Sequence, residues 1–569
     1  GEGSHGFQIG GSGPSSGGTV AVSYGGTIGS SSTGSAVNIA DRISGAGDVT
    51  FSGNISQTST STSTAAGISI SNVADGVINF TGTKTIAVNS GSQNAIQITS
   101  ISGDSDINFT TGAIDIDFAT GTTGSAFAIS SQSGTSTIDV TTAADIDMVG
   151  TASGRGISIS SSTGGSVGFS GGNLTISTRD GAGVSDSNSA GSTHELNISG
   201  TGNTVTTTNG GQLVDISNAA TDGITFSTLT TGASVSGTAV RINNLDGGSF
   251  NTGTITVTGT TGAGADGVRI EGGSTAVFNL GNVGASNTSD DGVEINGAGN
   301  GAVTIDSISV QNAITGQGVE INGATSAVTI TSGGIGNTND PGAQGVLITG
   351  GNGNVTIGAT VSKTTSGNVI DVNNHSGGTI AFGGTVSATS SGGGITLVNN
   401  SGSTINFTNT LTLTTSGTNS VGFNATGGGT VSATGANSTI SSGSGVGMNV
   451  VNTNIGGGDL NFVSVNVNGA ANGIVLNNTG SSGGLTITGI GTGNATGGTI
   501  QNTTGRGIDI QNAVQIKVSN VTLTNAGTND LDSTDGGLSL GDNLSANAAI
   551  NLINVTNVTL DNVDITGGA

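Results

Sequence analysis

One short pattern recurs along the whole chain and constrains its fold more than any other feature. A small residue is followed by an apolar, any and a second apolar residue, as in Ile68–Ile70. The copies lie 24 to 34 residues apart, about 28 on average, and Gly directly precedes 13 of them. Internal repetition at this period predicts a solenoid. The 20 copies begin near Phe7, Val37, Ile68, Ile96, Phe127, Ile157, Val184, Val214, Val240, Val268, Val293, Val319, Val346, Ile370, Ile395, Val421, Met448, Ile474, Ile508 and Leu538.

Each repeat carries two further doublets of the same kind. The second follows about ten residues after the first, as in Ile107–Phe109, and a looser third comes five or six residues later, as in Ile308–Val310. Alternating apolar residues are typical of strands with one buried face. Three short strands per repeat predict an all-β fold, a single parallel β-helix of about 20 three-sided rungs. We expect it to run through residues 1–569 without a separate domain. Parallel crossovers favour a right-handed coil.

Phe and Asn recur at fixed positions of the repeat. Phe on successive rungs should stack in the core. Asn tolerates a positive φ in the turn after the first doublet, and aligned Asn amides can hydrogen-bond from rung to rung. Phe occupies the second doublet at positions 51, 80, 109, 169, 226, 382, 407 and 462, and Asn follows the first doublet at or within one residue of 72, 243, 296, 322, 373, 399, 424, 477 and 512.

Composition excludes several other classes of protein. Of 569 residues, 34 are acidic and 9 basic, which gives a formal net charge of -25. A nucleic-acid-binding protein needs a basic surface, so nucleic acid is not an expected partner. A collagen needs abundant Pro, and this chain has 2. No apolar run is long enough for a transmembrane helix.

Gly-x-(Val/Ile)-x-(Ile/Leu) doublets with Asn-Gly turns resemble the repeat regions of large bacterial cell-surface and secreted proteins. These include autotransporter passengers, filamentous-haemagglutinin-type adhesins and other β-strand-repeat exoproteins. The resemblance covers essentially the whole chain, and it implies a right-handed β-helix at the extracellular surface of a bacterium. The absence of Cys fits export in an unfolded state.

Acidic residues cluster in one part of the chain, where seven Asp lie between positions 104 and 147. In Ile114–Phe118, alternation places Asp115 and Asp117 on the outer face of one strand. We expect Asp147 on the neighbouring strand one rung later. Close carboxylates repel one another unless a cation lies among them, and Ca²⁺ prefers oxygen ligands. Asp115, Asp117 and Asp147 are therefore a candidate Ca²⁺ site, with solvated carboxylates as the alternative.

Charged residues also align in the first doublet. Its outward position is occupied on five consecutive rungs by Asp215, Arg241, Arg269, Glu294 and Glu320. This column predicts a salt-bridge ladder, with a charged docking strip or a catalytic patch as the alternative.

The three histidines, His5, His194 and His375, lie in polar stretches of the sequence. We expect each of them to be an exposed turn residue rather than a catalytic group.

These features together predict a non-catalytic structural or adhesive β-solenoid, either a rigid surface stalk or a filament subunit. The expected partners are a second copy stacked end to end, neighbouring repeats of a longer chain, or a host, cell-surface or glycan receptor. The alternative is a β-helix that acts on polysaccharides, as a lyase or a tailspike-like hydrolase. Such enzymes usually bind sugars on aromatic rings, and this chain has no Trp and one Tyr, Tyr24.

Overall fold

The computed structural model describes residues 5–10, 19, 21–31, 33–43, 45–59, 65–150, 153–390, 392–417, 420–527 and 548–566. These residues contain no helix, and parallel strands stack coil on coil into a β-solenoid of about 18 turns. The all-β parallel β-helix is thereby confirmed, whereas its handedness stays a prediction. The described residues belong to two compact units, Gly1–Asp290 with Gly299–Thr304, and Asp291–Ala298 with Ile305–Ala569.

The strands form three columns, and within a column each coil pairs in parallel with its neighbours. The first column of the first unit contains Phe7–Ile9, Val37–Arg42, Ile68–Val73, Ile96–Ile101, Phe127–Ser130, Ile157–Ser160, Val184–Ser187, Val214–Ala220, Val240–Asp246 and Val268–Glu271. In the second unit it contains Val293–Asn296, Val319–Asn322, Val346–Thr349, Ile370–Asn373, Ile395–Val398, Phe423–Thr426, Met448–Val451, Ile474–Asn477 and the beginnings of Ile508–Ser519 and Ile550–Asp561.

The second and third columns follow the later doublets of each repeat. Second-column strands are Val22–Tyr24, Val49–Phe51, Val77–Phe80, Asp106–Phe109, Thr137–Val140, Ser166–Phe169, Glu195–Ile198, Val355–Ile357, Thr379–Phe382, Thr404–Phe407, Thr430–Ala433, Asn454–Phe462 and Leu485–Ile487. Third-column strands are Ile28–Ser30, Ile55–Thr58, Lys84–Val88, Ile114–Phe118, Ala144–Met148, Leu174–Thr178, Thr204–Thr207, Thr360–Lys363, Val386–Ser390, Leu411–Thr415, Thr439–Ser442, Ser464–Asn468, Gly498–Gln501, Val521–Thr524 and Asp564–Thr566. Longer strands that serve both columns are Ile224–Thr231, Ser249–Val257, Val277–Ser286, Val303–Gln311 and Val328–Ile335, and a separate pair is Val235–Ser236 with Thr260–Thr261.

Strand pairing corrects one of the predicted repeat starts. Ile395 pairs with Phe423, so the strand begins two residues after Val421. The sequence there fits the doublet pattern in two overlapping ways, and the structure uses the one that Gly422 precedes. Ile508 pairs with Ile550, whereas the copy predicted at Leu538 lies outside the described residues.

The core is built from inward side chains that repeat from coil to coil. Phe51, Phe80 and Phe109 pair in register and are buried. Their ring centroids are 5.2 and 4.9 Å apart, and successive planes differ by 8° and 9°. The predicted stacking of Phe on consecutive rungs is therefore confirmed for these three residues.

A Gly before the first strand lets adjacent coils approach closely. A Cβ on Gly156 would lie 2.5 Å from the carbonyl oxygen of Gly183 on the next coil, and one on Gly318 would lie 2.6 Å from that of Gly345. No side chain fits at these two positions without displacing backbone, which explains why the repeat begins with Gly.

Asn residues line a turn after the first column. Asn452, Asn478, Asn512 and Asn554 all have positive φ, between 51° and 56°. The side-chain amides of Asn478, Asn512 and Asn554 each donate to the Asn side chain of the preceding coil, over distances of 2.9, 3.0 and 3.1 Å. The predicted rung-to-rung amide bonding occurs along this ladder.

Candidate functional site

The acidic residues form a flat array on the outer surface of the third column. Asp115 pairs in register with Asp145, and Asp117 pairs with Asp147. All four side chains are exposed, because each alternates with a buried residue along its strand. The sequence correctly placed Asp115, Asp117 and Asp147 on neighbouring strands. It left out Asp145, although the same alternation in Ala144–Met148 would have identified it.

The spacing within this array follows from strand geometry. Paired positions on adjacent strands lie about 4.8 Å apart, and alternate residues on one strand about 7 Å apart. Partial burial raises the pKa of the Asp117 carboxyl, and the negative charges of Asp115, Asp147 and Asp145 raise it further. A bound cation would relieve this repulsion.

An open hollow of about 440 Å³ adjoins two of the four carboxylates. Asn89, Asp117, Asp147 and Val149 are among its lining residues. One Asp147 oxygen accepts a hydrogen bond from the Val149 amide at 3.1 Å. Ca²⁺ takes six to eight oxygen ligands, so an ion beside Asp117 and Asp147 would need water for much of its coordination. Binding of Ca²⁺ by Asp115, Asp117 and Asp147 stays a prediction.

Hydroxyl groups continue the third column beyond the acidic array. Asp145 pairs with Thr175 and Asp147 with Ser177, and three further coils present Thr at both outward positions. The result is an uncharged surface with two rows of hydroxyls in register. These residues are Thr175, Ser177, Thr204, Thr206, Thr228, Thr230, Thr254 and Thr256.

The charged column of the first unit forms an ion-pair network. Arg241 lies 3.3 Å from Asp215 and 2.8 Å from Glu271. Arg269 lies 2.8 Å from Glu271 and 3.5 Å from Asp266. Glu271, which the sequence did not single out, joins the two guanidinium groups. In this unit the predicted salt-bridge ladder is present, and both Arg side chains form ion pairs within it.

In the second unit, Glu294 pairs in register with Glu320 in the same column. These two like charges therefore occupy neighbouring coils, as their spacing in the sequence predicted.

The prediction for two of the three histidines is wrong. His194 and His375 are 0% and 1% exposed. The ring of His375 lies 2.9 Å from the Ser403 hydroxyl, and burial lowers the pKa of the imidazole. Both residues lie between strands and are nevertheless buried, so a polar sequence did not imply exposure. His5 is partly exposed, and its ring accepts a hydrogen bond from the Ser35 amide at 3.1 Å.

Comparisons with protein-family models, curated proteins and solved structures found no match for this chain. Within the part of the chain that the structure describes, no helix has the length and apolarity to span a membrane.

Proposed function

We propose that this chain is a non-catalytic extracellular β-solenoid with a structural or adhesive role, as a rigid stalk or a filament subunit on a bacterial surface. The observation that carries the proposal is the register of the first column. It links Phe7 to Val268 through ten successive strands of the first unit, with parallel pairing at each step. Bending such a stack would pull packed side chains apart and break hydrogen bonds between strands at the same time. This favours a stiff structure.

The outer surface of the first unit supports an adhesive role. Carboxylates and hydroxyls stand in fixed rows on the third column, where they could contact a repetitive partner at several points. A glycan or a cell-surface receptor offers hydroxyls and amides at repeated intervals, which suits weak contacts summed along a surface. Ca²⁺ at the acidic array would offset part of the local negative charge, and its free coordination positions could bind oxygen atoms of an anionic partner.

Electron microscopy of the purified chain, with and without a calcium chelator, tests the structural role. Long uniform fibres would identify a filament subunit whose partner is a second copy, and separate stiff rods would identify a stalk. Fibres that dissolve under chelation, and that the double variant Asp117→Asn with Asp147→Asn does not form, would assign Ca²⁺ to assembly. Compact, irregularly flexible particles would contradict the proposal.

Single-molecule stretching tests the stiffness that the proposal requires. Release of one coil of about 28 residues should lengthen the chain by about 100 Å. Extension in steps of one or a few coils is expected, because each coil is stabilised mainly by its neighbours. A featureless extension at low force would contradict a load-bearing role.

Incubation with acidic and neutral polysaccharides distinguishes the alternative function. New reducing ends or unsaturated sugars would identify a polysaccharide-active enzyme. Retention of intact polysaccharide on the immobilised chain, without cleavage, would support adhesion.

A further inference from the structure

One core position of the first unit holds a carboxyl group where its neighbours hold hydrocarbon. Asp186 lies in the strand Val184–Ser187 and pairs in register with Ile159 on one side and Ile216 on the other. Both isoleucines are inward and fully buried, and Asp186 is likewise 0% exposed. The carboxyl therefore interrupts an apolar column inside the solenoid.

The Asp186 carboxyl faces a buried imidazole. Asp186 Oδ2 lies 3.5 Å from Nε2 of His194, and Oδ1 accepts a hydrogen bond from the Asn188 amide at 2.6 Å. Oδ2 and both ring nitrogens have no hydrogen-bond partner of good geometry. The polar groups near the pair are thus the Asn188 amide beside Asp186 and the Gly164 and Gly165 backbones beside His194.

The other ionisable groups on the surrounding elements do not point into this pair. On the adjacent first-column strand, Asp215 points outward to Arg241. Glu195 accepts a hydrogen bond from Asn197, and Arg179 pairs with Asp180 in the turn that precedes the strand. Asp222 and Arg155 are exposed in turns. The pair must therefore balance its own charge.

The Asp186–His194 pair has no net charge when its two side chains hold one titratable proton between them. The proton can sit on the carboxyl beside a neutral imidazole, or on the imidazole beside a carboxylate. Removal of that proton leaves a buried negative charge, and addition of a second leaves a buried positive charge. Either state is costly in a core without a counter-ion.

We propose that Asp186 and His194 form a proton-dependent latch, which keeps their coil closed while they hold one proton between them. Loss of that proton opens the strands Val184–Ser187 and Glu195–Ile198. This inference concerns a local property of the first unit and does not rest on the proposed function.

The direction of the pH effect follows from the burial of both groups. Burial raises the pKa of Asp186 to about 8, against the opposing hydrogen bond from Asn188. Burial lowers the pKa of His194 to about 4, and the backbones of Gly164 and Gly165 oppose that effect. The stabilising contribution of a raised pKa is lost as pH rises towards 8, and that of a lowered pKa is lost as pH falls from 6.5 towards 4.

The two contributions offset each other between about pH 4 and 6.5, because the open pair also holds one proton there. From about pH 6.5 to 8 the closed coil holds one proton more than the open coil. The opening equilibrium constant should therefore rise tenfold per pH unit, or about 30-fold across this window.

Hydrogen exchange of the full chain at pH 6.5 and 8 tests the latch, with rates corrected for the intrinsic effect of pH. Protection of Val184–Ser187 and Glu195–Ile198 should fall about 30-fold, whereas protection of Ile68–Val73 should not change. Asp186→Asn should abolish the fall, and the outward control Asp215→Asn should retain it. A wild-type coil whose protection is independent of pH, or an equal fall in Asp186→Asn, would overturn the proposal.

Two further measurements keep the test decisive if Asp186→Asn does not fold. In His194→Gln the dependence should extend over about pH 4 to 8, because the imidazole no longer offsets the carboxyl. The chain has three histidines, so selective ¹³C labelling of their rings gives three resonances. The His194 resonance should not follow a single-site titration near pH 6.5, and an ordinary titration there would refute the latch.

Discussion

Replacement of Lys84 by Met should stabilise this protein. Lys84 points into the core of the third column, between Ile55 and Ile114 on adjacent coils, and is 0% exposed. Its Nζ donates one long hydrogen bond of 3.4 Å to the Phe80 carbonyl and lies 6.0 Å from the centre of the Phe109 ring. Burial without a nearby carboxylate lowers the pKa of the ammonium group from 10.5 to about 8.

The difference between these two pKa values sets the magnitude. It corresponds to about 3 kcal/mol of destabilisation of the charged side chain at pH 7. Met has a similar length, fills the same space and carries no charge. Loss of the hydrogen bond should cost little, because the Phe80 carbonyl also accepts from the Thr110 amide at 2.9 Å. Lys84→Met should therefore raise the free energy of unfolding by about 3 kcal/mol at pH 7.

The pH profile makes the prediction specific. Because the folded pKa lies below the unfolded one, wild-type stability should rise between pH 8 and 10.5 as Lys84 loses its proton in the folded state. The advantage of Lys84→Met should shrink over that range to below about 1 kcal/mol. Urea unfolding followed by circular dichroism, together with hydrogen exchange of Lys84–Val88, measures both quantities.

The other two lysines are matched controls. Burial also lowers the pKa of Lys363, but Asp340 opposes that effect, and the amine donates to the Pro341 carbonyl at 2.6 Å and to Thr365 Oγ1 at 3.1 Å. Because Lys363→Met would lose both hydrogen bonds, it should give a much smaller gain than Lys84→Met. Lys517 is exposed, and Lys517→Met should change stability by less than about 0.5 kcal/mol. The reasoning is refuted if Lys84→Met destabilises the protein at pH 7, or if its advantage is the same at pH 7 and pH 10.5.

Three further predictions concern the core, the turns and the acidic array. Phe80→Ala should cost about 3–5 kcal/mol in urea unfolding, because it removes the middle ring of a stack, and a cost below 1 kcal/mol would contradict that packing. Asn478→Ala should cost about 2 kcal/mol, because it breaks two amide bonds of the ladder and places Ala at a positive φ, and a stability equal to wild type would contradict both contributions. Calorimetric titration should detect Ca²⁺ binding that Asp117→Asn and Asp147→Asn each weaken, while Asp104→Asn leaves it intact; equal binding by all variants would exclude the array as the site.

The fold was predictable because the pattern of each repeat determines the positions and the buried faces of its strands. Alternation of apolar residues fixed which side chains point inward, and the spacing of the doublets fixed the number of columns. The repeat start predicted at Val421 is wrong for a physical reason. The segment fits the doublet pattern in two registers, and both of them place apolar residues inward. The choice between them depends on how closely Gly422 approaches the next coil, which is a three-dimensional property.

The polar interior was harder to predict than the surface. Outward Asp115, Asp117 and Asp147 obey the same alternation as the apolar residues, so their neighbourhood could be deduced. Asp186 and His194 could not be paired in this way, because the first breaks the doublet and the second lies in a turn of variable length. Their contact depends on how that turn folds over the core.

The close approach at Gly156 and Gly318 has a consequence for how such a chain changes over evolutionary time. A coil fits its neighbours through the Gly position and the strand register, while the spacing between paired first-column strands ranges from 24 to 42 residues. Gene rearrangements that add or remove whole coils preserve every contact type, whereas a fractional insertion inside a strand turns core residues outward. The length of the solenoid can thus change in units of one coil, whereas a change in the cross-section of one coil disturbs both of its neighbours.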